Sequence, residues 1–177
     1  MDVKNLEVKI DSPDPQNVSG ELLTRGLNVM VGYYKNEQAT KAVLDADGWF
    51  HTGDLGTMDA DGYIFLRGRS KNMLLGSNGQ NVYPEEIEDK LNSMTMVNES
   101  LVIQQGEKLI GLVHPDYDEA NSLGFSNEDL ANIMEENRKK LNTLLPPFCK
   151  LSEIKLQVDE FQKTPKKSIK RYLYQNV

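Results

Sequence analysis

The chain has 177 residues, 38% hydrophobic and 27% charged, and its 20 basic against 27 acidic residues leave a net charge of -7. That length can build a real core in one or two small domains, and the acidic balance argues against a dedicated nucleic-acid binder. A mean hydropathy of -0.54 with no membrane-length apolar run excludes a transmembrane helix, and the single cysteine, Cys149, excludes a disulfide framework or a cysteine metal cluster.

No charged segment leads into an apolar stretch at Met1, so no secretory leader is expected and the expected location is cytoplasmic. Residues 161–177 carry Lys163, Lys166, Lys167, Lys170 and Arg171 with no acid. Composition leaves two readings open there, a solvated terminus or a segment that meets phosphate.

The first third is punctuated like β-structure. Leu6, Val8 and Ile10 alternate with polar residues, and Ser12-Pro13-Asp14-Pro15 breaks the pairing. Gly20 to Gly26 predicts a second strand, and Asn36 to Val43 a short helix with Asn36 as its N-cap. Asp61-Gly62, between Leu55–Met58 and Tyr63–Leu66, predicts a hairpin, because both turn residues tolerate positive φ.

After Arg69 the pattern becomes mixed α and β. Pro84 followed by Glu85 and Glu86 starts a helix whose apolar stripe is Ile87, Leu91 and Met94. Leu101–Ile103 and Leu109–Val113 predict a hairpin around Gln105-Gly106-Glu107-Lys108. Ser126 with Asp129 forms a capping box for a helix through Leu130, Ile133, Met134 and Leu141, stopped by Pro146-Pro147. Ile154, Leu156 and Val158 alternate as a last strand, and Ser168 to Tyr174 is expected to be a terminal helix. The fold class expected is α+β: a small β-barrel-like remnant over 1–68, then a compact domain over 69–177 with a short hairpin and a small mixed sheet flanked by helices.

Several short constellations carry polar chemistry. Asp45-Ala46-Asp47-Gly48 and Asp59-Ala60-Asp61-Gly62 look like pieces of a calcium loop. Placing Gly48 or Gly62 at the sixth position puts Val43 or Thr57 at the first, where an acid is needed. Both are turns, and no metal site is expected. In His51-Thr52-Gly53-Asp54, a carboxylate fixed beside glycine either caps a turn or accepts hydrogen bonds from a vicinal diol such as a ribose. His51 and His114 lack partners at metal-ligand spacing. Gly68-Arg69-Ser70-Lys71 is a cationic turn whose Arg69 can reach phosphate or ribose, with Lys71 in a connector. Gly76-Ser77-Asn78-Gly79 lets backbone approach a ligand closely, although no Gly-x-x-x-x-Gly-Lys-Ser/Thr phosphate cradle exists in the chain.

The order of these segments says more than each alone. Gly20-Glu21-Leu22 with Gly26 and Gly32-Tyr33-Tyr34 comes first, then Gly48-Trp49-Phe50-His51-Thr52-Gly53-Asp54-Leu55-Gly56. Gly68-Arg69-Ser70-Lys71 and the run from Gly79 through Val82, Pro84, Glu86, Ile87 and Glu88 follow. This series resembles the adenylate-forming superfamily of acyl-CoA synthetases, luciferases and peptide-synthetase adenylation domains. Thr164-Pro165 with Ile169-Lys170-Arg171 is most similar to the closing motif of long-chain fatty acid–CoA ligases.

The resemblance implies that residues 1–68 end a large N-terminal domain and that 69–177 form a mobile C-terminal one. The phosphate loop and the acyl pocket would lie upstream. It implies a two-step reaction: a carboxylate and ATP give acyl-adenylate and pyrophosphate, then the domain rotates and the CoA thiol takes the acyl group. Carried over by motif, Asp54 binds the ribose hydroxyls, Arg69 contacts the nucleotide, Lys71 is the hinge, and Gly79 lines the pantetheine path. The family's adenylation lysine falls on Ser168, so Lys166 and Lys167 are the expected catalytic cations. Implied substrates and cofactors are fatty acid, ATP, Mg2+ and CoA. No nucleic acid is implied; peripheral membrane contact is expected only for a full-length protein, and the fragment alone is expected to be inactive. An acyl-carrier-protein synthetase and a non-catalytic binding module stay open beside the ligase.

Overall fold

In the computed structural model, which describes residues 5–76 and 78–175, the chain divides into two compact units, Met1–Asn72 and Met73–Val177. Met1, where the leader expectation rests, and Ser77 of the glycine loop lie outside the described residues.

In the first unit, β1 (Leu6–Asp11), β2 (Gly20–Gly26), β3 (Phe50–Met58) and β4 (Ile64–Arg69) pair antiparallel in that order. The expected barrel-like remnant is an open sheet, because among the described residues β1 and β4 each pair on one side only. The helix α1 (Glu37–Lys41) starts where Asn36 accepts a hydrogen bond from Ala39 N. It stops short of Val43 because the chain there joins the sheet: His51 N donates to Val43 O at 2.8 Å, and Leu44 bridges to Phe50.

The two Asp-Ala-Asp-Gly segments fold into the same turn. Asp45 Oδ1 accepts from the Asp47 and Trp49 amides at 3.0 and 2.8 Å, and Asp59 Oδ1 accepts from Asp61 and Tyr63 at the same distances. Gly48 and Gly62 then sit at φ +82° and +84°, the left-handed position that closes a three-residue turn. The leading carboxylates are taken by backbone amides. Among the described residues, no group of three or more His, Cys, Asp or Glu side chains is placed to hold a metal.

The second unit opens with the two-residue strands β5 (Leu74–Leu75) and β6 (Asn81–Val82), then α2 (Pro84–Asn92). Its sheet is β7 (Val97–Gln105), β8 (Lys108–Pro115) and β9 (Leu151–Leu156), with β7–β8 antiparallel and β8–β9 parallel. Between them lie α3 (Tyr117–Leu123) and α4 (Asn127–Leu144), the latter started by the full Ser126–Asp129 capping box. The class is α+β.

Alternation across this sheet makes two cores. Val102, Leu109, Val113 and Leu151 pack with Ile87 and Leu91 of α2 and with Leu130, Met134 and Leu141 of α4. Leu101, Ile103, Ile110 and Leu112 point to the other face, against Phe161, Ile169 and Tyr174. Burial on both faces explains why β8 reads as an unbroken apolar run rather than an alternating one.

The terminal segment corrects one expectation. Ser168 to Tyr174 is not a helix; only Arg171–Leu173 makes a single 3-10 turn. Lys163 bridges Ile169, Thr164 N donates to Ser168 O at 2.8 Å, and Lys170 N donates to Gln162 O at 2.8 Å. These bonds draw residues 162–170 into a hairpin. Its end is pinned by Tyr174, whose hydroxyl accepts from Gln162 N at 2.8 Å and whose ring meets Phe161 edge-on.

Candidate functional site

Asp54 sits where the β-ladder is interrupted on both sides. Glu21 pairs with Leu55 and Leu23 with His51, so Thr52, Gly53 and Asp54 stand opposite Leu22 alone. A second irregularity between β3 and β4 falls at Leu55/Gly56. Bulges of this kind re-aim side chains that a flat ladder would hold in the pleat. Gly53, at φ +72°, permits the bend, a conformation that costs other residues roughly 1–2 kcal/mol.

Arg69 is the register partner of Asp54 on β4. Its Nε lies 2.9 Å from Asp54 Oδ1 and its Nη1 donates to Thr52 O at 3.0 Å. The two side chains remain 52% and 29% exposed, so the pair adds little to stability and stays open to a ligand. The two residues read separately from the sequence thus form one carboxylate–guanidinium unit. It offers a hydrogen-bond acceptor for hydroxyls beside a cation for anionic oxygens.

Of the other expected site residues, Lys71 belongs to the first unit and the rest to the second. Lys71 is exposed in the 3-10 turn Ser70–Asn72, one residue before the first unit ends. Gly79, in the second unit, closes the β5–β6 turn at φ +78°, with open space where a side chain would project. Lys166, Lys167 and Ser168 are exposed at the tip of the terminal hairpin. Lys167 N donates to Thr164 O at 2.8 Å, and Lys167 lies at φ +64°, the place that glycine takes in the two earlier turns.

The basic tail is only partly solvated. Lys163 pairs with Glu99 at 2.7 Å, which raises the lysine above its ordinary range. Arg171, 19% exposed, pairs with Glu88 of α2 and lies 3.8 Å from Glu85. Burial pushes the Glu88 carboxyl up from its ordinary value, while Arg171 and the Val102 amide pull it back. His51 Nδ1 lies 2.9 Å from Glu21 Oε2, and His114 Nδ1 lies 3.0 Å from Gln157 O, so both histidines have structural partners.

Glu21 and Glu88 stand in the family motifs of the sequence, but no role for either follows from the motifs alone. Each had a signal. Glu88 is a charge on the apolar stripe of α2, between Ile87 and Leu91, and Glu21 follows a glycine at the start of an apolar strand.

Residues 71–176 match the family described as AMP-binding enzyme C-terminal domain. The chain belongs to this family, the C-terminal portion of the adenylate-forming superfamily. One relative is the 3-[(3aS,4S,7aS)-7a-methyl-1,5-dioxo-octahydro-1H-inden-4-yl]propanoyl:CoA ligase of Mycobacterium tuberculosis, 38% identical over 72% of this chain and 27% of that protein. Another is the long-chain-fatty-acid–CoA ligase FadD15 of the same organism, 42% identical over 52% of this chain and 15% of that protein. Among solved structures, an ATP-bound RpMatB-BxBclM chimera superposes with a TM-score of 0.76 at 26% identity, over 97% of this chain and 34% of that one. The chain thus spans about a quarter or less of the length of these curated relatives.

Proposed function

We propose that the full-length protein carrying this chain is an acid–thiol ligase. It activates a carboxylic acid with ATP, releasing pyrophosphate, and passes the acyl group from acyl-AMP to the thiol of CoA. The observation that carries this reading is the Asp54–Arg69 pair raised on the β3 bulge, in a chain of the AMP-binding enzyme C-terminal family.

In this reading Asp54 accepts hydrogen bonds from the ribose hydroxyls, and Arg69 both fixes that carboxylate and faces the nucleotide's anionic side. Lys71 is the hinge, Gly79 leaves the pantetheine arm room, and Lys167 or Lys166 supplies the adenylation cation. Mg2+ enters with the ATP phosphates; no ligand set on this chain is assigned to it. The first unit, Arg69 included, closes a large N-terminal domain and the residues beyond the Lys71 hinge form the mobile domain, in a cytoplasmic protein with peripheral membrane contact. The exposed Ile64, Phe65 and Leu66 of β4 support an upstream partner domain, because apolar side chains grouped on one strand are seldom left bare.

The substrate proposed is a long-chain fatty acid, which the similarity to FadD15 supports. The experiment is turnover of the full-length protein with ATP, CoA and a panel of fatty, aryl and bicyclic acids. Fatty acids are expected to give the highest kcat/KM. A bicyclic or aryl acid in first place would overturn the fatty-acid assignment, and transfer to a carrier-protein thiol instead of CoA would overturn the acceptor.

Asp54→Ala in that protein is expected to lower kcat/KM for ATP roughly 30-fold. One carboxylate oxygen is already held by Arg69, so the ligand's share is about 2 kcal/mol, near one charge-assisted hydrogen bond. Unchanged ATP kinetics would return Asp54 to the role of a turn residue.

A further inference from the structure

A bulge that swings three residues out of a ladder leaves amides without their strand partners, and something else must accept from them. In the β3 bulge two side chains do this. Thr52 Oγ1 donates to Leu22 O at 2.8 Å and accepts from Asp54 N at 3.0 Å. Glu21 Oε1 accepts from Gly53 N at 2.9 Å, reaching across from β2.

The second oxygen of Glu21 is also engaged. His51 Nδ1 lies 2.9 Å from Glu21 Oε2, and Asp45 Oδ2 lies 3.9 Å from the other ring nitrogen. With both oxygens held, the carboxylate has one orientation, and the Gly53 amide it accepts from is adjacent to Asp54. The side chain is 27% exposed, so its hydrogen bonds are only partly exchanged with water.

We infer that Glu21 is the positioning residue of the Asp54 nucleotide site. Its carboxylate stands in for the missing strand acceptor, and His51 locks it, so that Asp54 faces the ligand at a fixed angle. The inference rests on the reading of Asp54 as a ribose-binding carboxylate.

The test compares ATP with 2′-deoxy-ATP in the full-length protein, for the parent, Glu21→Ala, Glu21→Asp and Glu21→Gln. The parent is expected to favour ATP. Glu21→Ala should raise the ATP KM about ten-fold, the loss of roughly one hydrogen bond to a charged group. It should also erase most of the preference over 2′-deoxy-ATP, while the KM values for acid and CoA hold. Glu21→Asp, one methylene too short to reach Gly53 N, should behave likewise if the alanine variant does not fold. Glu21→Gln keeps an acceptor oxygen and should recover most of the preference. A parent that does not distinguish the two nucleotides overturns the reading of Asp54. A parent that does, with Glu21→Ala and Glu21→Asp discriminating equally well, overturns the role of Glu21 alone.

Discussion

Glu88→Ala is expected to destabilise the second unit by about 3 kcal/mol, the largest effect on stability of any single substitution considered. Glu88 is 10% exposed in its side chain, pairs with Arg171 through Oε2, and accepts from Val102 N at 2.6 Å through Oε1. Removing it leaves a largely buried guanidinium and an edge-strand amide without their acceptor. Breaking a buried pair in this way costs about 3–5 kcal/mol. The lower end applies because Glu85 lies 3.8 Å from the same guanidinium.

Chemical denaturation of the chain checks this, with Glu88→Gln as the control that keeps the Val102 acceptor and should cost less than half as much. Burial leaves the Glu88 pKa above its unfolded value. Its contribution is therefore fully present below the ordinary carboxylate range and is lost as pH rises through the raised value. The gap between parent and Glu88→Gln should narrow from acid to neutral pH. A loss under about 1 kcal/mol for Glu88→Ala, typical of exposed ion pairs, would mean the pair is solvated.

Loss of the tail cation is expected to slow adenylation by roughly two to three decades, the cost of removing one preorganised electrostatic stabiliser. A serine hydroxyl offers one neutral hydrogen bond, whereas charge developing on the α-phosphate calls for a cation. In the proposed reaction Ser168 is therefore not expected to replace a lysine, and Lys167 or Lys166 is expected to take the role. Lys167 holds a left-handed backbone at φ +64° in a turn whose earlier copies use glycine. Lys167→Gly thus removes the charge while relieving a conformation that costs roughly 1–2 kcal/mol. A fall in rate for that variant cannot be blamed on a damaged hairpin.

Pyrophosphate release and thioester formation from pre-made acyl-adenylate should be measured separately for Lys166→Ala, Lys167→Gly and Ser168→Ala. Adenylation should fall in a lysine variant, with thioester formation largely spared. If only Ser168→Ala abolishes adenylation, the lysine assignment is wrong; if no variant does, the hairpin tip is a solvated surface.

Local chemistry made much of this fold legible. Asn36, Pro84 and Ser126 each mark a helix start that the structure keeps, because a cap or a proline acts within one turn of itself. The hairpins at Gly62 and Gly106 follow from turn residues beside apolar runs. The short helix α3 is not legible in the sequence although Asp116 caps it and Gly124 ends it at φ +74°, because its single buried residue, Ala120, makes no apolar stripe.

The terminal segment departs from its expected helix for the opposite reason. Ile169 and Tyr174 have apolar spacing, but what they face is the outer side of the β7–β8 hairpin, fixed by Leu101, Ile103, Ile110 and Leu112 far upstream. No local pattern encodes that partner. At the site, Asp54 and Arg69 stood out as charges beside glycines, whereas their pairing depends on the β3–β4 register. The part of Glu21 depends on a bulge that opposes three residues to Leu22, which strand periodicity does not reveal.

In the proposed function, this chain serves an ATP-dependent ligase that works through acyl-AMP. The most direct measurement is the product balance of the full-length protein supplied with ATP, Mg2+, a fatty acid and CoA. AMP, pyrophosphate and acyl-CoA should appear in equal amounts, and omitting CoA should leave enzyme-bound acyl-AMP. Release of ADP and phosphate, or ATP consumption that does not depend on the acid, would contradict a reaction through acyl-AMP.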